Sequence, residues 1–198
     1  SLRLASRWSD RLRSTAVVYY TYLQNRQEAE YHDSDTKSCG KTTFKTHELG
    51  ARLSFEQQVT AGYSLDYGAT FSYQQFYPML TKAVADGVTT KRNYPARELL
   101  SAAVFLNNRF RRGAWSADIG VRGAMYDNGA QTAFAVEPRA QLSYDFGCDN
   151  ALWLSGTMNS QALVQFNRYY YSKPIDFWTP FRDGKLQHAW QLSLGGRT

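Results

Sequence analysis

Nine charged residues of both signs sit inside otherwise apolar or small-residue stretches: Glu48, Arg52, Glu56, Asp66, Asp118, Arg122, Glu137, Arg139 and Asp145. Where several share a stretch they are spaced by two, four or six positions. On a β-strand an even spacing puts side chains on one face, so each group would present its charges together. Such a face can pair charges across strands, line an aqueous path, or meet a second domain through charge-assisted hydrogen bonds. A solvated wall carrying cross-strand ion pairs is the plainer alternative.

A second constellation lies in FNRYYYSKPIDFWTPFRDGK, where Arg168, Tyr169, Tyr170, Tyr171 and Trp178 combine rigid aromatics with a guanidinium. That mixture makes a recognition surface for a sugar, a peptide or a lid protein. Packing of the loop on itself is the alternative. YHDSD, at Tyr31–Asp35, offers oxygen ligands without the spacing of a calcium loop. His32, His47 and His188 show no HExxH or paired spacing, and no GxSxG, P-loop or GxGxxG occurs. No catalytic residue, metal site or cofactor is expected.

The elements that would hold these residues are strands. His47 to Gln58, HELGARLSFEQQ, places Leu49, Ala51, Leu53 and Phe55 on one face and Glu48, Arg52 and Glu56 on the other. Tyr63–Gln74, Trp115–Ala124, Val136–Phe146, Leu152–Asn159 and Trp190–Gly195 alternate in the same way. Weaker strands run through Leu2–Trp8, Ser14–Arg26 and Glu98–Asn108. That is about nine strands of about 10 to 13 residues, roughly twice the usual globular length. Short turns are expected near Asp10–Arg13, Val59–Gly62, Arg109–Gly113 and Gly147–Asn150. Long polar loops are expected near Gln27–Thr43, Tyr77–Ala96, Asp127–Phe134 and Gln165–Leu186. Short and long connections alternate strictly, so all turns fall at one end of an antiparallel meander and all loops at the other. This is the arrangement of an outer-membrane β-barrel. A soluble β-sandwich also alternates, but with shorter strands and no such asymmetry.

Composition agrees with strands at an interface. The 198 residues include 14 Tyr, 11 Phe and 5 Trp, and the net charge is +6. Tyr63, Phe110, Trp115, Tyr144, Phe146 and Trp153 gather beside the short turns, with Tyr73, Phe76, Tyr77, Phe166 and Tyr169 beside the loops, as two membrane–water interfaces select. Lys37, Lys41, Lys82, Lys91, Arg92, Lys173, Arg182 and Lys185 all fall on the loop side, where lipopolysaccharide phosphates are the nearest anions; nucleic acid is not an expected partner. Arg109, Arg111 and Arg112 would meet headgroups on the opposite side. No apolar run is long enough for a membrane helix. Cys39 and Cys148 fall at opposite ends of a wall about 25 Å tall, too far apart for a disulfide. The chain begins at Ser1 with no signal peptide to read, and about nine strands leave raw edges, so it is expected to be part of a longer polypeptide.

The stretch VEPRAQLSYDFGCDNALWLSGTMNSQALVQF, followed by PIDFWTP at Pro174–Pro180, resembles the C-terminal barrel half of TonB-dependent outer-membrane receptors of the Bacteroidota type. HELGARLSFEQQ with YSLDYGATFSYQQF resembles an earlier barrel hairpin of the same proteins. The likeness spans Phe44 to Thr198. It implies a barrel of about 22 strands around a plug domain, energised by TonB with ExbB and ExbD and taking up scarce nutrients. It implies that Glu137 and Arg139, which belong to the resembling motif, contact the plug. Residues 1–198 are read as a partial barrel without plug domain or TonB box. Outer-membrane lipid, lipopolysaccharide and a surface lipoprotein are the other candidate partners. A non-transporting barrel anchoring a surface or secretion assembly is the alternative function, and a barrel hydrolase a third.

Overall fold

The computed structural model describes residues 1–33, 36–85, 88–170 and 173–198, with side chains described outside 29–38, 78–81, 83, 85, 92 and 166–177. The strands, in chain order, are β1 (Leu2–Arg7), β2 (Leu12–Asp33), β3 (Thr36–Thr60), β4 (Tyr63–Ala85), β5 (Val88–Asn93), β6 (Arg97–Arg112), β7 (Trp115–Asp127), β8 (Thr132–Gly147), β9 (Asn150–Gln161), β10 (Leu163–Tyr170), β11 (Lys173–Pro180) and β12 (Gln187–Arg197). One antiparallel sheet runs β1-β2-β3-β4-β6-β7-β8-β9-β12, with β5 added on the free upper part of β4; β10 and β11 form a separate hairpin. The nine path strands are those expected from the alternation, and the chain is an all-β segment of barrel wall.

Register converts the period of two into two continuous faces. On one, Ala16, Leu53, Ala69, Val104, Gly123 and Val136 follow one another across six neighbouring strands. Lower down the same face, Ala117, Leu142, Leu154 and Leu194 do so across four. No second sheet covers this face among the described residues: Leu53, Phe71, Ile119 and Leu192 are all exposed, Leu192 at 79%. A sandwich buries such residues between its sheets. Here the apolar rows point away from the protein, which sets the sandwich alternative aside.

The other face carries the polar and charged rows, and its upper end holds the small core. Phe76, Leu99, Ala103, Ala124, Tyr126, Ala133 and Ala135 are covered there by Ala162 and Phe181, from either side of the β10–β11 hairpin. Leu99 and Phe181 are 2% and 1% exposed. The row of alanines on β6, β7 and β8 leaves room for the Phe181 ring to lie on the sheet.

Three of the expected long loops turn out to be ordered pairs. β2 and β3 stay in register up to Asp33 with Thr36, β4 and β5 pair from Leu80 to Ala85, and β10 pairs with β11. The reason is physical. Alternation is visible only when the two faces meet different surroundings, and Lys41 and Thr42 on β3, like Thr89, Thr90 and Lys91 on β5, put polar groups on both sides. Only Asn128–Gln131 remains a tight turn, closed by Asn128 N–H to the Gln131 carbonyl at 3.1 Å. The β8–β9 turn has Cys148 and Asp149 in the left-handed region, as a two-residue hairpin connection with matching twist requires, and Gly147 is left-handed at the register shift just before it. Cys39 and Cys148 are unbridged and lie at opposite ends of the meander.

Two expected interface aromatics are corrected. Phe76 is not on the outer apolar face but buried at 3% in the core on the other one. Trp153 pairs with Ser143 and Gly195 on the charged face. Tyr63 with Phe110 (4.8 Å), Trp115 with Tyr144 (4.7 Å) and Tyr144 with Phe146 (4.8 Å) do form a ring-to-ring row by the short turns.

Candidate functional site

The register brings all nine charged residues of the first constellation to the one face opposite the apolar rows. Glu56, Asp66, Asn107, Gly120, Arg139 and Thr157 stand directly across from one another on β3, β4, β6, β7, β8 and β9. One level further down, Ser64, Arg109, Asp118 and Gln141 do the same. Phe105, Arg122 and Glu137 form a row above.

Side chains link these positions both along the rows and between them. Arg109 on β6 bonds Asp66 on β4 and lies 3.9 Å from Asp118 on β7. The three groups make one chain of alternating charge across three strands. Arg139 Nε donates to Asn107 Oδ1 at 2.9 Å, passing over β7 at Gly120. A Cβ at Gly120 would stand 2.1 Å from that oxygen and 3.0 Å from Nε, so only glycine lets the bond cross. Arg122 Nη1 donates to Glu137 Oε2 at 2.8 Å and to the Tyr126 hydroxyl at 3.3 Å. Ser160 N–H donates to Glu137 Oε1 at 3.1 Å. Glu137 is 8% exposed, and a carboxylate so placed is held by these partners rather than by water.

Glu48 accepts from the Tyr19 hydroxyl at 3.0 Å. The Tyr19 ring crosses Gly50 to get there, with its Cζ 2.2 Å from where a Cβ would be. Arg52 lies over the Phe105 ring, 5.3 Å from its centroid, a cation–π contact on the charged face. Asp145 serves its own turn, accepting from Gly147 N–H at 2.8 Å. Sequence reading missed Tyr19, Phe105, Asn107, Tyr126 and Ser160 as partners. Three of them are aromatic, and in the sequence they look like members of the apolar set; only parity against their neighbours distinguishes them.

The second constellation lands on the β10–β11 hairpin. Trp178 is opposite Gln165 near its base, while Arg168, Tyr169 and Tyr170 are opposite Ile175, Pro174 and Lys173 towards its tip. The side chains of Arg168, Tyr169 and Tyr170 lie outside the described residues, as do Tyr171 itself, the side chains of Tyr31, His32 and Asp33, and the whole of Ser34 and Asp35. The base of the hairpin is strapped to the wall. Phe181 N–H donates to the Ala162 carbonyl at 2.7 Å, Asn128 Nδ2 to the Phe181 carbonyl at 2.9 Å, and Gly184 N–H to Gln131 Oε1 at 2.7 Å. β11 packs towards β4 and β6, so the hairpin lies over the upper end of the charged face rather than standing clear of it.

At the same upper end, Asp127 receives Gly129 N–H at 2.8 Å and the Thr132 hydroxyl at 2.5 Å. The Thr132 hydroxyl first, and the Gly129 amide second, hold its carboxyl below the ordinary carboxylate range. His47 sits among Tyr20, whose hydroxyl is 2.6 Å from Nδ1, and the rings of Tyr22 and Tyr77.

No family model and no curated protein matches the chain. Among solved structures, the chain is similar to the ferric citrate transporter FecA in its unliganded form, with 11% sequence identity and a TM-score of 0.51 over 79% of this chain. The matched part is 26% of the FecA chain, so this chain spans about a quarter of that protein's length. What the two share is the fold, an antiparallel β-barrel wall.

Proposed function

We propose that the chain is part of the barrel of a TonB-dependent outer-membrane receptor that mediates energised nutrient uptake. The observation that carries this is the partition of one sheet into an uncovered apolar face and a face of linked charges, on strands long enough to cross hydrocarbon. The fold likeness to FecA and the Glu-Pro-Arg stretch point the same way. In this reading the apolar rows meet lipid, and Glu48, Arg52, Glu56, Asp66, Asp118, Arg122, Glu137, Arg139 and Asp145 face the lumen and its plug. Arg139, whose one partner among the described residues is Asn107, is better placed for a plug contact than Glu137, whose two oxygens are both engaged. Arg168, Tyr169, Tyr170, Tyr171 and Trp178 would form the external surface for a substrate or a surface lipoprotein.

The test is uptake by cells producing the full-length protein, with and without a working TonB–ExbB–ExbD system, across a panel of metal chelates, vitamins, glycans and peptides. Uptake of one member that disappears without TonB is the expected result. Normal assembly in the outer membrane with no TonB-dependent uptake of any member would reject transport and leave the anchoring role.

A further inference from the structure

Glu28 on β2, Lys41 on β3, Lys82 on β4 and Lys91 on β5 stand directly across from one another in a single row. Opposed side chains in a sheet are about 5 Å apart at Cβ, and like charges so placed repel. Three ammonium groups side by side therefore call for an anion. Glu28 supplies little: it bonds Arg26 and lies 3.7 Å from Lys41. Above the level of Tyr22, His47, Gln75 and Glu98, Glu28 is the one carboxylate among the described side chains of this face, and none of the described ion pairs includes Lys82 or Lys91.

The face is the apolar one. Along β2 it reads Val18, Tyr20, Tyr22, Gln24, Arg26, Glu28 in unbroken alternation, so the lysine row continues upward the surface that carries the exposed apolar side chains. From Tyr22 to Glu28 is six residues, about 20 Å along a strand and about 15 Å in height at a tilt of about 40°. The headgroup layer of an ordinary phospholipid extends only about 5 to 8 Å beyond the hydrocarbon. A phosphate at the height of the lysines must be borne by a taller headgroup.

We infer that Lys41, Lys82 and Lys91 form a binding site for the phosphorylated saccharide headgroup of an outer-leaflet glycolipid. The inference rests on the outer-membrane reading given above. Phosphoryl oxygens are strong acceptors that replace the mutual repulsion of the row with charge-assisted hydrogen bonds. The lysine stems let each ammonium adjust to the spacing of phosphates along the sugar chain.

The experiment places the full-length protein in vesicles containing phosphorylated rough lipopolysaccharide, the same glycolipid after dephosphorylation, or phosphatidylglycerol alone, and measures glycolipid affinity by titration at low and high salt. Wild type should prefer the phosphorylated glycolipid, and Lys41→Gln/Lys82→Gln/Lys91→Gln should weaken that binding on the order of a hundredfold. Lys82→Arg/Lys91→Arg should keep it, as should Lys185→Gln, which lies off the row. Equal affinity of wild type and the triple variant would overturn the inference, and so would displacement by millimolar inorganic phosphate, which would make this a site for the free anion. Protease protection and heat-modifiable migration of the same samples report bilayer insertion. Failure to insert rejects the barrel reading, whereas insertion with unchanged glycolipid affinity rejects the lysine site alone.

Discussion

Ser160 N–H on β9 reaches the Glu137 carboxylate on β8 at 3.1 Å just beyond the point where the ladder between these strands ends, at Arg139 with Thr157. Pro138 stands at that point and has no N–H to give a neighbouring strand. The sheet opens there, and the side chain before the proline closes the gap by taking the orphaned amide while the following Arg139 turns back to Asn107. The Glu-Pro-Arg stretch thus has a local structural reason apart from any contact with another domain.

Replacing Glu137 by Leu should therefore cost about 3 kcal/mol, because Arg122 loses its counter-charge and Ser160 N–H its acceptor. Glu137→Gln, which can still accept from Ser160, should cost about 1 kcal/mol. The pair Arg122→Met/Glu137→Leu should recover part of the loss. Urea unfolding of the full-length barrel from lipid vesicles measures all three; equal midpoints for the Leu and Gln variants would contradict this assignment.

Gly120→Val puts a branched Cβ where the Arg139–Asn107 bond crosses β7 and should destabilise by about 1 to 3 kcal/mol. Gly123, on the apolar face of the same strand, has nothing within 4 Å of a built Cβ. Gly123→Ala should stay within about 0.5 kcal/mol of wild type in the same unfolding assay.

The two faces can be read by chemistry. With Cys39 and Cys148 changed to Ser, a cysteine at Ile119 or Leu142 should react with a lipid-phase probe, and one at Gln141 or Thr157 with a water-soluble maleimide. Ile119→Arg should cost about 2 to 4 kcal/mol if that residue lies near the bilayer centre. Reaction of all four positions with the maleimide would mean that water, not hydrocarbon, meets both faces.

Phe181→Ala should release the strap. The ring is 1% exposed against a bed of alanines, and emptying such a site costs about 3 to 5 kcal/mol. The loss should appear as faster amide exchange across residues 162–186 with little change in β6 to β8. Uniform loss of protection throughout the sheet would show that the strap is part of the global fold instead.

The Asp127 turn should carry a pH signature. Its carboxyl is held below the ordinary range, so the contribution of the charged form is present above the unfolded-state value and is lost as pH falls through the lower folded value. Exchange of the Gly129 amide should accelerate over that acidic window in wild type. Asp127→Asn should exchange fast at every pH.

Much of this was legible beforehand because the two faces of the sheet differ in character. Leu53 beside Arg52, and Ile119 beside Asp118, announce strand, face and parity at once. What escaped were places where that contrast vanishes. The upper parts of β2 to β5 have polar groups on both sides and read as loop, although Thr42, Thr43, Thr89 and Thr90 are good strand formers. Phe76 and Trp153 were read by residue type as interface aromatics, yet parity puts both on the charged face. The strap was invisible because its bed is alanine, which marks no cavity in a sequence, and its anchors Asn128 and Gln131 look like ordinary turn residues.

The chain Asp66–Arg109–Asp118 has a further consequence for assembly. A strand displaced by two residues against its neighbour keeps every greasy side chain outward and every polar one inward, so hydrophobicity cannot tell that arrangement from the native one. A two-residue slip of β6 in either direction carries Arg109 about 7 Å out of line with Asp118, and in one direction away from Asp66 as well. The same slip parts Asn107 from Arg139. These cross-strand bonds, each weak in energy, are what count the rungs while the wall zips together.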